Sequence, residues 1–204
     1  MLSRRRALIE NAASGKDLPS GYTRKQYIQG ATNAGSIERG AILFYKLPFT
    51  NDYSYRIEAE TISHSAQNGF FISYSDEETR LLGVTISTNL KIQFRRNGNY
   101  TETNIPFLIN QKYIFEQNPD GSYVNGTKVL DFVNSSFTQD TYILLGYLGR
   151  ASIWKVYSLI VKNEKGENVF NGIPALDENG RSCLYDTVSR IPIYSITNTD
   201  FYTN

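Results

Sequence analysis

Residues 149–186 read GRASIWKVYSLIVKNEKGENVFNGIPALDENGRSCLYD, and the fold of the chain turns on how this stretch is read. It has the pattern of a long buried strand, a turn, a second strand, and a return that ends in the compact Cys183-Leu184-Tyr185-Asp186. The only Trp (Trp154) and the only Cys (Cys183) of the chain both lie in it. Trp154, between Ile153 and Lys155 in an apolar strand, is expected to pack in a core. Cys183 stands beside Ser182 and Leu184 with no His nearby, so a buried structural thiol is expected there and not a nucleophile. The stretch reads as the closing element of one β-rich domain.

Working outward, the same punctuation recurs. Tyr53, Tyr55, Ile57 and Ala59 alternate with Ser54, Arg56, Glu58 and Glu60, the period of two that marks a half-buried strand. Phe70, Ile72 and Tyr74 repeat it, then Leu82, Val84 and Ile86, then Leu90, Ile92 and Phe94. Ala41 to Tyr45 is a continuous apolar run, and Tyr27-Ile28 is a short first strand. Asn97-Gly98 and Asn125-Gly126 are tight-turn signals, and Asn118-Pro119-Asp120-Gly121 is a turn with Pro and Gly at special φ and Asn and Asp bonding locally. Pro106 belongs at an edge or a strand end. About a dozen short strands with turn signals every 8–12 residues and no interior helix predict an all-β, two-sheet antiparallel sandwich.

The bulk numbers agree. The chain has 204 residues, enough for one large domain or one domain with an arm. Fifteen Tyr and eleven Phe favour pleated, half-buried surfaces. The net charge of +1 gives no global field for nucleic acid or cations. A single Cys cannot form an intrachain disulfide, which fits a reducing compartment or a particle assembled in one. No apolar run approaches the roughly 20 residues of a membrane span. Ala7-Leu8-Ile9 is too short for a signal-peptide core, so synthesis without export is expected. Three Asn-X-Ser/Thr sequons begin at Asn99, Asn125 and Asn134, and without a secretory signal they read as chance.

Residues 1–17 stand apart. Ser3 to Ala13 has a helix pattern, with Ser3 as N-cap and Gly15 as terminator. Arg4, Arg5 and Arg6 oppose the helix dipole, and an isolated helix this short is marginal in water. Either the terminus frays, or it is an anchoring arm in which Arg4, Arg5, Arg6, Leu8 and Ile9 meet an acidic partner or a neighbouring subunit. Nucleic acid is the weakest alternative, because three arginines give a small electrostatic term. Residues 18–204 form the sandwich.

Few residues point to chemistry. His64, the only histidine, lies in a polar turn without triad partners. No Cys or His cluster suits zinc, and no Gly-rich loop leads into a helix to cradle phosphate. Asp177-Glu178-Asn179-Gly180 fits an Asx-type turn, with an adventitious calcium site as the alternative. Glu58 and Glu60 share a strand face roughly 7 Å apart. Such a pair is similar to the strand acids of sandwich-fold glucanases, although Ser63 stands where those have a third acid. A solvated face with cross-strand ion pairs is the competing reading. No cofactor and no catalytic activity are expected.

Two terminal segments carry a family resemblance. Leu18-Pro19-Ser20-Gly21-Tyr22-Thr23-Arg24-Lys25-Gln26-Tyr27-Ile28 resembles the opening of concanavalin A-like, laminin-G-like domains found in virion proteins of phages and prophages of gut bacteria. Trp154-Lys155-Val156-Tyr157-Ser158-Leu159, Val169 to Ala175 with Pro174, and Gly180 to Val188 with Cys183, Tyr185 and Asp186 are similar to that family's closing motifs. Gly121 to Thr127 is similar to its central hairpin. Residues 30–40 are longer and less regular than the family pattern.

The resemblance implies a jelly-roll sandwich whose first and last strands lie close together. It implies a virion structural role (capsid decoration, head fibre or tail-associated module) with attachment through the arm. The partners implied are other virion proteins, further copies of the chain in a homo-oligomer, and a host-surface glycan. A carbohydrate-binding adhesin or receptor-binding module is the alternative, and a glycan hydrolase using Glu58 and Glu60 a third. Trp154, Tyr157, Pro174, Cys183, Tyr185 and Asp186 are expected to determine the fold. Asp186 in particular is expected to hold a turn through local backbone hydrogen bonds.

Overall fold

The computed structural model of the chain describes residues 18–30, 43–46, 52–63, 69–75, 80–96, 99–131, 141–145, 153–196 and 200–204. The proposed arm, with Arg4, Arg5, Arg6, Leu8 and Ile9, and the turn with His64 lie outside the described residues. Among the described residues every regular element is a strand. In chain order they are β1 (Thr23–Arg24), β2 (Ile28–Gln29), β3 (Leu43–Lys46), β4 (Ser54–Ser63), β5 (Gly69–Ser75), β6 (Arg80–Ile86), β7 (Lys91–Arg96), β8 (Asn99–Pro106), β9 (Lys112–Asn118), β10 (Gly121–Val124), β11 (Thr127–Asp131), β12 (Thr141–Leu145), β13 (Ile153–Lys162), β14 (Asn168–Leu176), β15 (Ser182–Asp186), β16 (Ile191–Ile193) and β17 (Tyr202–Thr203).

They form two antiparallel sheets. The larger runs β11-β10-β9-β4-β13-β14-β15-β16, with β1, β2 and β17 attached, and the smaller runs β3-β12-β5-β6-β7-β8. The alternation read in β4 is what lets it sit in the middle of the larger sheet. Tyr55, Ile57 and Ala59 point inward and are buried, while Arg56, Glu58 and Glu60 point out. One hydrophobic core joins these to Phe115 of β9, Trp154, Val156 and Leu159 of β13, and Val84, Ile86, Ile92 and Phe94 of the smaller sheet. Phe94 and Phe115 meet edge to face with centroids 6.4 Å apart, one from each sheet. The architecture is therefore a β-sandwich, and Trp154 is a core residue, 1% exposed.

The turns read in the sequence sit where their chemistry requires. Asn118 Oδ1 accepts hydrogen bonds from the Asp120 and Gly121 backbone N–H groups, closing the β9–β10 turn. Asn125 and Gly126 take φ of 52° and 79°, the left-handed pair of a two-residue hairpin between β10 and β11. β7 and β8 pair on either side of Asn97-Gly98, and those two residues lie outside the described ones. β8 ends at Pro106 on the edge of the smaller sheet.

The closing stretch is a three-strand meander, β13-β14-β15, to which the chain's beginning and end are added. β13 pairs with β14 along its C-terminal half, and with β2 at Lys155 and Val156. β14 pairs with β1 at Ala175 and Leu176. Pro174 thus falls between the β13-paired and β1-paired parts of β14, where its missing N–H breaks no ladder shared by both neighbours. β17 pairs with β2, so the last strand of the described residues meets the second.

All five residues of β15 are buried, because both of its faces are covered. Leu184 faces the main core. Cys183 and Tyr185, with Ala175, form a second cluster beneath Leu18, Tyr22 and Tyr194. The two terminal motifs are in contact there, with the Tyr22 and Tyr185 rings 5.0 Å apart.

Candidate functional site

The polar positions of β4 belong to a wider array on the outer face of the larger sheet. Antiparallel register sets the rows. Glu60 lies between Lys112 of β9 and Lys155 of β13; Glu58 between Ile114 and Ser158; Arg56 between Glu116 and Ile160. Tyr123 of β10 is opposite Glu116 and extends that row. Directly opposed residues share a face, so these side chains stand together on one side of the sheet.

The charges on this face are paired. Arg56 Nε is 3.0 Å from Glu116 Oε1, Lys112 Nζ is 3.0 Å from Glu58 Oε1, and Lys155 Nζ is 3.4 Å from Glu60 Oε1. The Tyr157 hydroxyl donates to Glu60 Oε2 at 2.6 Å, and Lys112 Nζ lies 3.7 Å from the centre of the Tyr157 ring. Tyr27 meets Tyr157 edge-on at 5.6 Å and carries Lys155 Nζ 4.7 Å from its own centroid. Burial, and then the bond to Glu60, raise the Tyr157 phenol well above its ordinary pKa, so it stays a donor.

Tyr157 was expected among the fold-determining residues. It is half-buried on the outer face. Strand alternation sets this, since Trp154 and Val156 point into the core and Lys155 and Tyr157 therefore point out; a bulge follows. The register against β4 passes from Val156↔Ala59 to Ser158↔Glu58, leaving Tyr157 as the extra residue. The bulge brings Ser158 to the same outer face and keeps Leu159 in the core.

At one end of the array the face sinks into a depression of about 250 Å³, lined by Ser54, Tyr55, Arg56, Glu116, Gln117, Asn118, Ile160 and Lys162. On the opposite, inner face of the same strands, Tyr55 Oη donates to Gln117 Oε1 at 2.7 Å and Gln117 Nε2 donates to Ser122 Oγ at 3.1 Å, two buried bonds that tie β4, β9 and β10 together behind the depression. The volume is just under the roughly 300–1,000 Å³ of drug-sized ligand sites, so the depression suits a small unit and not a large cofactor.

The outer face of the smaller sheet is a second polar surface. The Arg95 guanidinium stacks on Tyr100 at 3.7 Å, Lys91 pairs with Glu102 at 3.4 Å, and the Thr85 hydroxyl donates to Gln93 Oε1 at 3.0 Å.

The remaining sequence candidates resolve into structure. Cys183 is buried, and burial pushes its thiol up to about 12, the opposite of what a nucleophile needs. Asp177 Oδ1 accepts from the Asn179 and Arg181 N–H groups at 2.9 and 2.8 Å, an Asx-type turn. Its other oxygen accepts from Tyr194 Oη at 2.7 Å; that bond, then the backbone bond from Arg181, hold the carboxyl below its usual range. Among the described residues no group of three or more His, Cys, Asp or Glu is placed to hold a metal ion, and no helix is long and apolar enough to cross a membrane.

Sequence reading picked out Glu58 and Glu60 but missed Lys112, Lys155, Lys162, Tyr27 and Tyr123. The outward positions of β9 are visible as alternation in Lys112 to Asn118. Their placement beside β4 is not, because it depends on pairing across more than fifty residues of chain.

No protein-family model matches the chain, and no curated protein matches it. Solved structures do. The carbohydrate-binding module CBM66 from Bacillus subtilis aligns at 15% identity over 69% of this chain and 94% of its own, with a TM-score of 0.41. A proposed carbohydrate-binding protein from Bacteroides ovatus aligns at 12% identity over 89% of this chain, with a TM-score of 0.52. This chain spans 63% of the length of that protein. At such identity the second likeness is one of fold, and it extends over nearly the whole described sandwich.

Proposed function

We propose that the chain is a non-enzymatic glycan-binding module whose ligand lies across the outer face of the larger sheet. The observation that carries this reading is the ordered polar face. Three ion pairs across β9, β4 and β13, with the half-buried rings of Tyr27, Tyr123 and Tyr157, lead into a depression. Sugar hydroxyls need fixed donors and acceptors beside a hydrophobic ring edge. Ion pairs locked across strands supply them without ordering cost at the moment of binding.

The same pairing argues for binding over hydrolysis. A glycosidic bond is cleaved by two carboxyl groups that exchange protons with the substrate or water. Here Glu58 is held by Lys112, and Glu60 by Lys155 and Tyr157. The Bacteroides ovatus protein of similar fold lends support by analogy, because one fold hosts many functions.

A glycan array followed by calorimetry tests the reading. At least one polysaccharide should bind, Tyr157→Ala and Tyr123→Ala should each weaken it about three- to tenfold, and Tyr100→Ala on the smaller sheet should leave it unchanged. Reducing ends should not accumulate. An array without hits, or binding lost only with Tyr100→Ala, overturns the proposal.

A jelly-roll of the concanavalin A-like kind in a virion component is a second, compatible reading. What favours it is the contact between the two resembling motifs, Leu18 to Tyr22 against Cys183 and Tyr185. On this reading the module decorates a particle as a homo-oligomer, held by its N-terminal arm. Mass spectrometry of purified particles should detect the chain; its absence from them would sink the idea.

A further inference from the structure

The array carries more positive than negative groups, and the surplus is concentrated at the depression. Four cations (Arg56, Lys112, Lys155, Lys162) face three carboxylates (Glu58, Glu60, Glu116), and the three ion pairs use every member except Lys162. Lys162, exposed at the rim, has no side-chain partner among the described residues.

The other groups around it also have donors to give. Ser54 lies opposite Lys162 in the β4–β13 register, and its hydroxyl makes no hydrogen bond among the described residues. Asn118 uses its carbonyl oxygen for the β9–β10 turn, which leaves its NH₂ group for a ligand. Arg56 has five N–H donors in a planar fork, of which Nε points at Glu116. Glu116 is the one carboxylate in the lining, and it is already paired. Among the described residues three unpaired acids follow or precede the lining by two residues along the chain, Asp52, Asp120 and Glu164; all three are exposed and none is in the lining.

Resting on the glycan-binding reading above, we infer that this depression selects an acidic sugar, a uronate whose carboxylate is received by Lys162 and Arg56 while Ser54 and Asn118 meet its ring hydroxyls. A planar carboxylate matches the Arg fork, and a surplus ammonium gives the charge balance that a neutral sugar would leave unmet. Glu116 remains an acceptor for a neighbouring hydroxyl. The volume of about 250 Å³ suits one ring, with the rest of the chain running over the Tyr157 array.

Calorimetry with three probes separates the outcomes: an unbranched oligogalacturonate, its full methyl ester, and poly-glutamate of similar length. Oligogalacturonate should bind about tenfold more tightly than the ester, and poly-glutamate should not bind. Lys162→Gln should weaken oligogalacturonate about fivefold with no effect on the ester, and Lys162→Arg should restore it. Lys162 is exposed, so these variants fold. Equal binding of acid and ester overturns the acidic-sugar inference and leaves glycan binding standing. Equal binding of poly-glutamate overturns it by making the site a reader of charge alone. If no galacturonate probe binds while the array yields a neutral ligand, the inference fails and the module remains. If nothing binds in either experiment, both fall.

Discussion

Asp186 is wholly buried, yet its carboxylate is fully engaged. Oδ1 accepts from the Asn171 N–H at 2.9 Å and the Val188 N–H at 3.1 Å. Oδ2 accepts from the Ser189 N–H at 3.2 Å and the Ser189 hydroxyl at 2.6 Å. One side chain thus ties β14 to the turn that follows β15. Hydrogen bonds to a charged group contribute about 1.5–3 kcal/mol each, and donors left buried without a partner cost more than the bond they lose. Asp186→Ala should therefore lower unfolding free energy by about 3 kcal/mol or more, and Asp186→Asn by less, since the amide keeps one acceptor. Urea unfolding at neutral pH measures both; a loss under about 1 kcal/mol for the alanine variant would show that the turn holds without it. Cys183 makes the complementary case. Its thiol, pushed up to about 12 by burial, should resist a disulfide reagent in the native state and react only as the protein unfolds. Rapid labelling of the folded protein would contradict its place in the second core.

At the scale of strands, the closing meander is packed to its limit. An ideal Cβ on Gly172 of β14 would lie 2.6 Å from Leu184 Cδ2 and 2.8 Å from Phe170 Cε1. One on Gly30, just after β2, would lie 2.6 Å from the Trp154 indole. These glycines are there for space, and neither has a left-handed φ. Gly172→Ala and Gly30→Ala should each cost about 1–3 kcal/mol by overpacking, measured by thermal or denaturant unfolding. A neutral result at Gly30 would mean that Trp154 can swing aside.

Much of this level was legible in the chain. The alternation at Tyr53 to Glu60, the Asn118 and Asn125 turns, and the burial of Trp154 and Cys183 all follow from local chemistry. The site was legible only in part. Glu58 and Glu60 declare themselves on one face, but the lysines that neutralise them arrive from β9 and β13 through long-range register. Register is fixed by which faces are buried once the sheets have packed, and a short segment does not encode it. Tyr157 faces out by plain alternation with Trp154 and Val156, and the bulge beside it shows in the chain only as a three-residue step from Val156 to Leu159.

Across the whole molecule, two phenols tie the sandwich to pH. Tyr157 and Tyr194 are both raised above the ordinary tyrosine value, first by burial and then by donating to Glu60 and Asp177. They sit in different surroundings: Tyr157 of β13 in the outer array, and Tyr194, just after β16, over the cluster that also holds Cys183. In the unfolded chain each would ionise near its unperturbed value of about 10. Above that pH the native state holds more protons than the unfolded state, so unfolding free energy falls as pH rises. Their contribution is complete below about pH 10 and is lost as pH climbs toward the folded-state values. Cys183, raised in the same direction, adds to the slope from about pH 8.5 upward. Thermal midpoints taken from about pH 8 to pH 11 should decline, and more steeply beyond about pH 10. The double variant Tyr157→Phe, Tyr194→Phe keeps the rings and removes the titrating protons, so its midpoint should start lower at neutral pH and decline less steeply. Parallel curves for the two proteins would mean that the alkaline slope comes from other groups and that these two phenols are no more buried in the folded state than in the unfolded one.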